Sequence, residues 1–123
     1  MPQREDYLIR LIRQAFDVLR RLRAKLMGDP QAADEVVRGA REAQGELLGP
    51  LFGAMTMVDP DTAVGLMRDR ERLEAWVELM RLEADALRAG GDAAGADAVA
   101  RRADAIREAY ERLLGPVKEY WSR

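Results

Sequence analysis

The chain has 123 residues, enough for one domain of ordinary size, and its 48% hydrophobic and 34% charged residues are too apolar a mixture for a disordered chain. It contains no Cys and no His, which excludes disulfides, thiolate nucleophiles, Ser-His catalysis and Cys/His metal sites. A net charge of −2 argues against nucleic-acid binding by overall charge, yet residues 1–28 carry seven basic and three acidic side chains, a balance of +4 that leaves −6 for the remainder.

Ala, Arg, Leu and Glu dominate the sequence, and all are strong helix formers. Runs of alternating Val, Ile, Thr or Tyr are missing, as are Asn-Gly and Asp-Gly hairpin signals. Aromatic residues make up only 6%, so the core must consist mainly of Leu, Ala, Val, Ile and Met. The expected fold class is all-α: a bundle of two antiparallel helical hairpins with about five helices. No apolar run approaches the ~20 residues of a membrane span, and Arg4, Glu5 and Asp6 precede any apolar stretch, so neither a transmembrane segment nor a signal peptide is expected. Together with the lack of Cys, this places the expected location in the cytoplasm.

The first predicted helix runs from Arg4 to Met27. Leu8, Leu11, Ile12, Ala15, Val18, Leu19, Leu22 and Leu26 recur at helical spacing on one broad face, with Arg10, Arg13, Asp17, Arg20 and Arg21 opposite. Gly28, Asp29 and Pro30 stop it. The second spans Gln31 to Leu48, with Ala33, Val36, Val37, Ala40, Ala43 and Leu47 on one face. Gly39 and Gly45 either weaken it or mark close helix contact, and Gly49-Pro50 closes it.

Residues 49–59, GPLFGAMTMVD, are apolar without a clean period and read as a loop containing up to one helical turn. A third, short helix over Pro60–Asp69 starts with Asp59 as cap and Pro60 at its first position, and buries Ala63, Val64 and Met67. The fourth, Arg70–Ala89, has two apolar faces: Leu73, Trp76, Val77, Met80, Ala84 and Leu87 on one, Ala75, Leu79, Leu82 and Ala86 on the other. Such a helix belongs in the middle of a bundle, and Trp76 and Met80 are expected among its most buried side chains. Gly90-Gly91 ends it, and Asp92 caps a fifth helix, Ala93–Leu114, with an apolar stripe of Ala96, Val99, Ala100, Ala103, Ile106, Tyr110, Leu113 and Leu114. The organisation expected is a hairpin over 4–48, a linker and short helix over 49–69, a hairpin over 70–114, and a tail over 115–123 whose Tyr120 and Trp121 pack back on the body.

The end of the second helix, REAQGELLGP, is echoed by the end of the fifth, REAYERLLGP, which fits either an old duplication or a common way to end a helix. Ala84, Leu87, Gly91-Asp92, Ala96 and Ala103 give the stretch from Met80 to Tyr110 a resemblance to a tetratricopeptide-type helical hairpin. Glu83 stands where that repeat prefers Leu, the closing Pro is missing because the helix continues through Glu108, and only one unit is visible. Over nearly its full length the chain also resembles a family of short bacterial helical proteins without assigned function, through EDYLIRLI (Glu5 to Ile12), a helix ending in LLG, the Met- and Leu-rich linker and the EADAL–GGD–A hairpin. That resemblance implies a bacterial, cytoplasmic helical protein.

Four constellations could carry function. Asp59, Asp61, Asp69 and Glu71 cluster in sequence but lack the loop spacing of a hard-cation site, so caps and solvated charges are expected there and no metal or cofactor. Glu74, Glu78, Arg81 and Asp85 lie along one side of the fourth helix; carboxylate-only catalysis would require burial to split their pKa values, whereas i, i+3 and i+4 pairing simply supports a solvent-facing helix. No catalytic residue is assigned, and an enzyme is not expected. The basic first helix, through Arg10, Arg13, Arg20 and Arg21, offers an alternative reading as a peripheral binder of anionic membranes or nucleic acid. The leading expectation is a non-enzymatic protein–protein interaction or scaffold module, as a monomer or a homodimer. Its partner surface would draw on Met55, Met57, Trp76, Leu79 and Leu82 unless these fill the protein's own core or a dimer seam.

Overall fold

The computed structural model describes residues 2–115, with side chains from Asp6 onward. Those residues form six α-helices and no strand: α1 (Pro2–Gly28), α2 (Ala33–Leu48), α3 (Phe52–Met57), α4 (Pro60–Met67), α5 (Arg70–Ala89) and α6 (Ala93–Leu113). The fold class is all-α. Tyr120 and Trp121 lie outside the described residues.

α1 and α2 form one antiparallel hairpin and α5 and α6 another, and the two are joined through α2 packed on α5. α5 therefore touches α1, α2 and α6 and sits in the middle, as its two apolar faces require. Leu73, Trp76, Val77, Met80 and Ala84 are buried on one face, Ala75, Leu79, Leu82 and Ala86 on the other; only Leu87 is half-buried. The expected stripes of α2 and α4 are buried throughout, and Ile12, Ala15, Leu19 and Leu22 anchor α1. On α6, Ala96, Ala103, Ile106 and Tyr110 are buried, but Leu113 is exposed. The echoed helix ends are thus only partly equivalent: Ala43 and Ala109 are both buried, whereas Leu47 is buried and its counterpart Leu113 is not.

The helix ends follow the sequence signals closely. Asp59 accepts from the Thr62 amide at 3.1 Å and its hydroxyl at 2.6 Å, and Asp92 accepts from the Gly95 amide at 2.8 Å. Gly49 adopts φ 58° where α2 stops. Gly39 marks a close approach, since a Cβ there would lie 2.9 Å from Leu22 Cδ1 of α1; Gly45 faces open space.

Two expectations are corrected. Residues 49–57 are not a loop: a single 3₁₀ turn over Gly49–Leu51 leads directly into α3. Their helicity comes from tertiary contact, because Met55 is fully buried and its carbonyl accepts from Arg102 of α6 at 2.6 Å. α4 also stops at Met67 rather than Asp69. Arg68 takes a left-handed conformation (φ 58°), which frees Asp69 to cap α5 through the Arg72 amide at 3.0 Å.

Three ion pairs and one helix cap give the fold a defined acid response. Lys25 beside Glu35, the Thr62 hydroxyl beside Asp59, Arg112 beside Asp61 and Arg88 beside Asp97 each hold a carboxyl below its ordinary value. In the unfolded chain these groups take up protons near a pH of roughly 4. Depressed folded-state values mean that their stabilisation is present above that range and is lost as the pH falls through it. All four sites are exposed, so each contribution is small. The urea midpoint is expected to be flat from pH 7 to 5 and to fall between pH 5 and 3; a midpoint that rises on acidification would contradict these assignments.

Candidate ligand-binding cleft

Of the five residues expected at a partner surface, four belong to the protein's own core. Met55, Leu79 and Leu82 are fully buried and Trp76 is 1% exposed. The reason is the α2–α5 packing, which closes the space between the hairpins. Leu79 and Leu82 consequently form no exposed patch. Met57 alone is exposed, at 87%.

The other constellations resolve into surface pairs. Asp61 pairs with Arg112 through two contacts of 2.7 and 3.2 Å, Glu74 with Arg70 at 3.2 Å, and Arg81 with Asp104 at 2.8 Å. Glu78 lies near both Arg23 and Arg81, at 3.6 and 3.8 Å. Arg70 also lies over the Tyr110 ring, 5.0 Å from its centre, and burial together with Glu74 raises that phenol's pKa. Among the described residues no three Asp or Glu side chains converge as a metal site requires. None of their helices is long and apolar enough to cross a membrane. On α1, Arg10, Arg13, Arg20 and Arg21 are exposed, with Arg20 paired to Asp17; the apolar face opposite is occupied by α2 and α5.

The polar groups that stand out were not among the site residues expected from the sequence. Gln44 and Glu83 are the two buried polar residues among those described. Glu83 projects from α5 toward α2, where one carboxylate oxygen accepts from Gln44 Nε2 at 2.7 Å and the other from Arg41 Nε at 2.9 Å. Gln44 Oε1 in turn accepts from Trp76 Nε1 at 3.2 Å. These bonds fix the amide: its NH₂ must face the carboxylate and its oxygen the indole. The chain Arg41–Glu83–Gln44–Trp76 therefore runs from solvent into the core with each link satisfied.

This chain backs a cleft of about 230 Å³ between α2, α3, α5 and α6, lined by Gln44, Thr56, Trp76, Met80, Glu83, Ala98, Val99 and Arg102. Trp76, Met80, Ala98 and Val99 make most of its wall apolar; Glu83 and Gln44 supply oriented acceptors and donors. Arg102 adds a guanidinium that spends one N–H on the Met55 carbonyl near the end of α3, where helix carbonyls lack partners of their own. Burial lowers its pKa, an effect that Asp59 opposes, and it remains charged at any ordinary pH. A mostly apolar concavity with a few convergent polar groups is the usual form of a binding site, although this volume lies below the roughly 300 Å³ at which drug-sized pockets begin.

The sequence held a signal for this site. Glu83 interrupts the apolar series of α5, lying between Leu82 and Ala84. Gln44 gave less warning, sitting beside Ala43 on the buried face of α2. Compared with family models, curated proteins and solved structures, the chain matches none.

Proposed function

We propose that this protein is a non-enzymatic interaction module that receives a segment of a partner protein in the cleft between α2, α3, α5 and α6. The observation that carries this reading is the buried Glu83, held by Gln44 and Arg41 at the back of an otherwise apolar concavity. Taking a carboxylate out of water costs several kcal/mol, recovered only through good pairing, and a well-packed apolar residue in such a place is often neutral or stabilising. A Leu would serve packing at position 83, so the polar chain points to recognition. Its groups orient a ligand, while Trp76, Met80 and Val99 supply apolar contact. For the acid–base alternative, Glu74 and Glu78 are held by Arg70, Arg23 and Arg81, and Asp85 lies exposed on the surface.

The test is selection of short peptides from a random display library on the purified protein, followed by titration of the free peptides. Selected peptides are expected to carry a large apolar residue and to lose at least tenfold in affinity when Ala98→Arg blocks the cleft mouth. Ala98 is exposed, so the fold should tolerate that change. Charge reversal at Arg13 and Arg20, outside the cleft, should leave peptide affinity unchanged. Peptides that bind regardless of Ala98→Arg, or weaken with the Arg13 and Arg20 reversals, would refute the cleft reading.

A further inference from the structure

The polar atoms of the cleft specify more than an apolar occupant. The Arg81–Asp104 and Arg88–Asp97 pairs set the register of the α5–α6 hairpin and bring Glu83 level with Arg102. Both side chains line the cleft, yet they do not form an ion pair with each other. An acceptor and a donor thus face one space without closing it. Glu83 has used one lone-pair direction on each oxygen, for Gln44 and Arg41, and retains others; Arg102 has used one of its five N–H groups. Arg41 pairs with Glu83 at 2.9 Å. The cleft presents a carboxylate acceptor and a guanidinium donor of opposite charge, a set that a neutral group with one donor and one acceptor would complete.

We infer that the cleft recognises a neutral backbone peptide group of the partner segment, its N–H donated to Glu83 and its C=O accepting from Arg102, with the adjoining apolar side chain against Trp76, Met80 and Val99. This rests on the cleft being the binding site. The volume agrees: 230 Å³ is the share of about eight liquid waters, room for one aromatic side chain with a peptide group beside it. Hydrogen bonds to charged groups in a partly desolvated site are the stronger kind. The inference therefore concerns backbone recognition; side-chain identity is read only as bulk and apolarity.

The probes are N-acetyl-phenylalanine methylamide, its analogue methylated on both amide nitrogens, the free acid N-acetyl-phenylalanine, and toluene as the side chain alone. Binding is read from the Trp76 indole N–H resonance, assigned with Trp121→Phe, because that proton bonds to Gln44 at the cleft wall. The methylamide is expected to bind at least tenfold more tightly than the N-methylated analogue and toluene, and more tightly than the free acid. Arg102→Met and Glu83→Gln, each checked for folding by circular dichroism, should bring the methylamide close to toluene. If all four probes bind alike through Trp76, the cleft reading stands and the peptide-group assignment falls. A preference for the free acid overturns the neutrality argument, and no shift of Trp76 by any probe removes both readings.

Discussion

Trp76→Ala is expected to destabilise the protein by about 3–5 kcal/mol, the range for removing a large buried aromatic side chain. Trp76 is the largest fully buried side chain and stands on the central helix, which packs against both α2 and α6. The substitution also takes away the donor to Gln44 Oε1 and leaves a buried amide oxygen unpaired. Against a total stability of about 5–15 kcal/mol for a domain of this kind, that is a fifth of the total or more. Trp76→Phe keeps a six-membered aromatic ring but loses the five-membered ring with its N–H to Gln44, so it should cost less than Trp76→Ala. Urea unfolding followed by circular dichroism measures both; a loss below about 1 kcal/mol for Trp76→Ala would contradict its place in the core.

The second large effect separates the core from the partner surface that the sequence suggested. Leu79→Ala and Leu82→Ala are each expected to cost about 2–5 kcal/mol, because both side chains are fully buried on the second face of α5. Met57→Ala should lie within about 0.5 kcal/mol of the parent, because Met57 is almost wholly in solvent. The spread among these residues is the informative quantity. Near-neutral values for Leu79 and Leu82 would mean that this face is open in solution and that the partner surface returns to it.

How much could be read in advance follows from the range of the forces involved. The long helices were legible because their apolar spacing and caps are local: Asp59, Asp92 and Gly49 act within a turn of their own position. The central place of α5 was legible from its two apolar faces. What covers the second face was not, since apolar spacing says that Leu79 and Leu82 are buried by something but not whether that is α2 or another molecule. α3 escaped because six residues with Gly and two Met show no clear period, and their helicity depends on Met55 entering the core and Arg102 taking its carbonyl. Asp69 was assigned to the end of one helix when it starts the next, because a left-handed Arg68 carries no sequence signature comparable to Gly. The candidate site was least legible. Gln44, Glu83 and Arg102 stand on three different helices, and only the folded chain brings them to one cleft.

Enclosure of α5 on both faces is the architecture on which the proposed Glu83 cleft stands. Native-state hydrogen exchange, read amide by amide across low urea concentrations, measures that enclosure directly. The backbone amides of residues 75–86 should exchange only through global unfolding, while those of α3 and the first turns of α1 exchange through smaller openings. Sub-global exchange of residues 75–86, at lower free energy than the middle of α1 or α6, would show that α5 is a peripheral helix and would contradict the architecture from which the cleft is built.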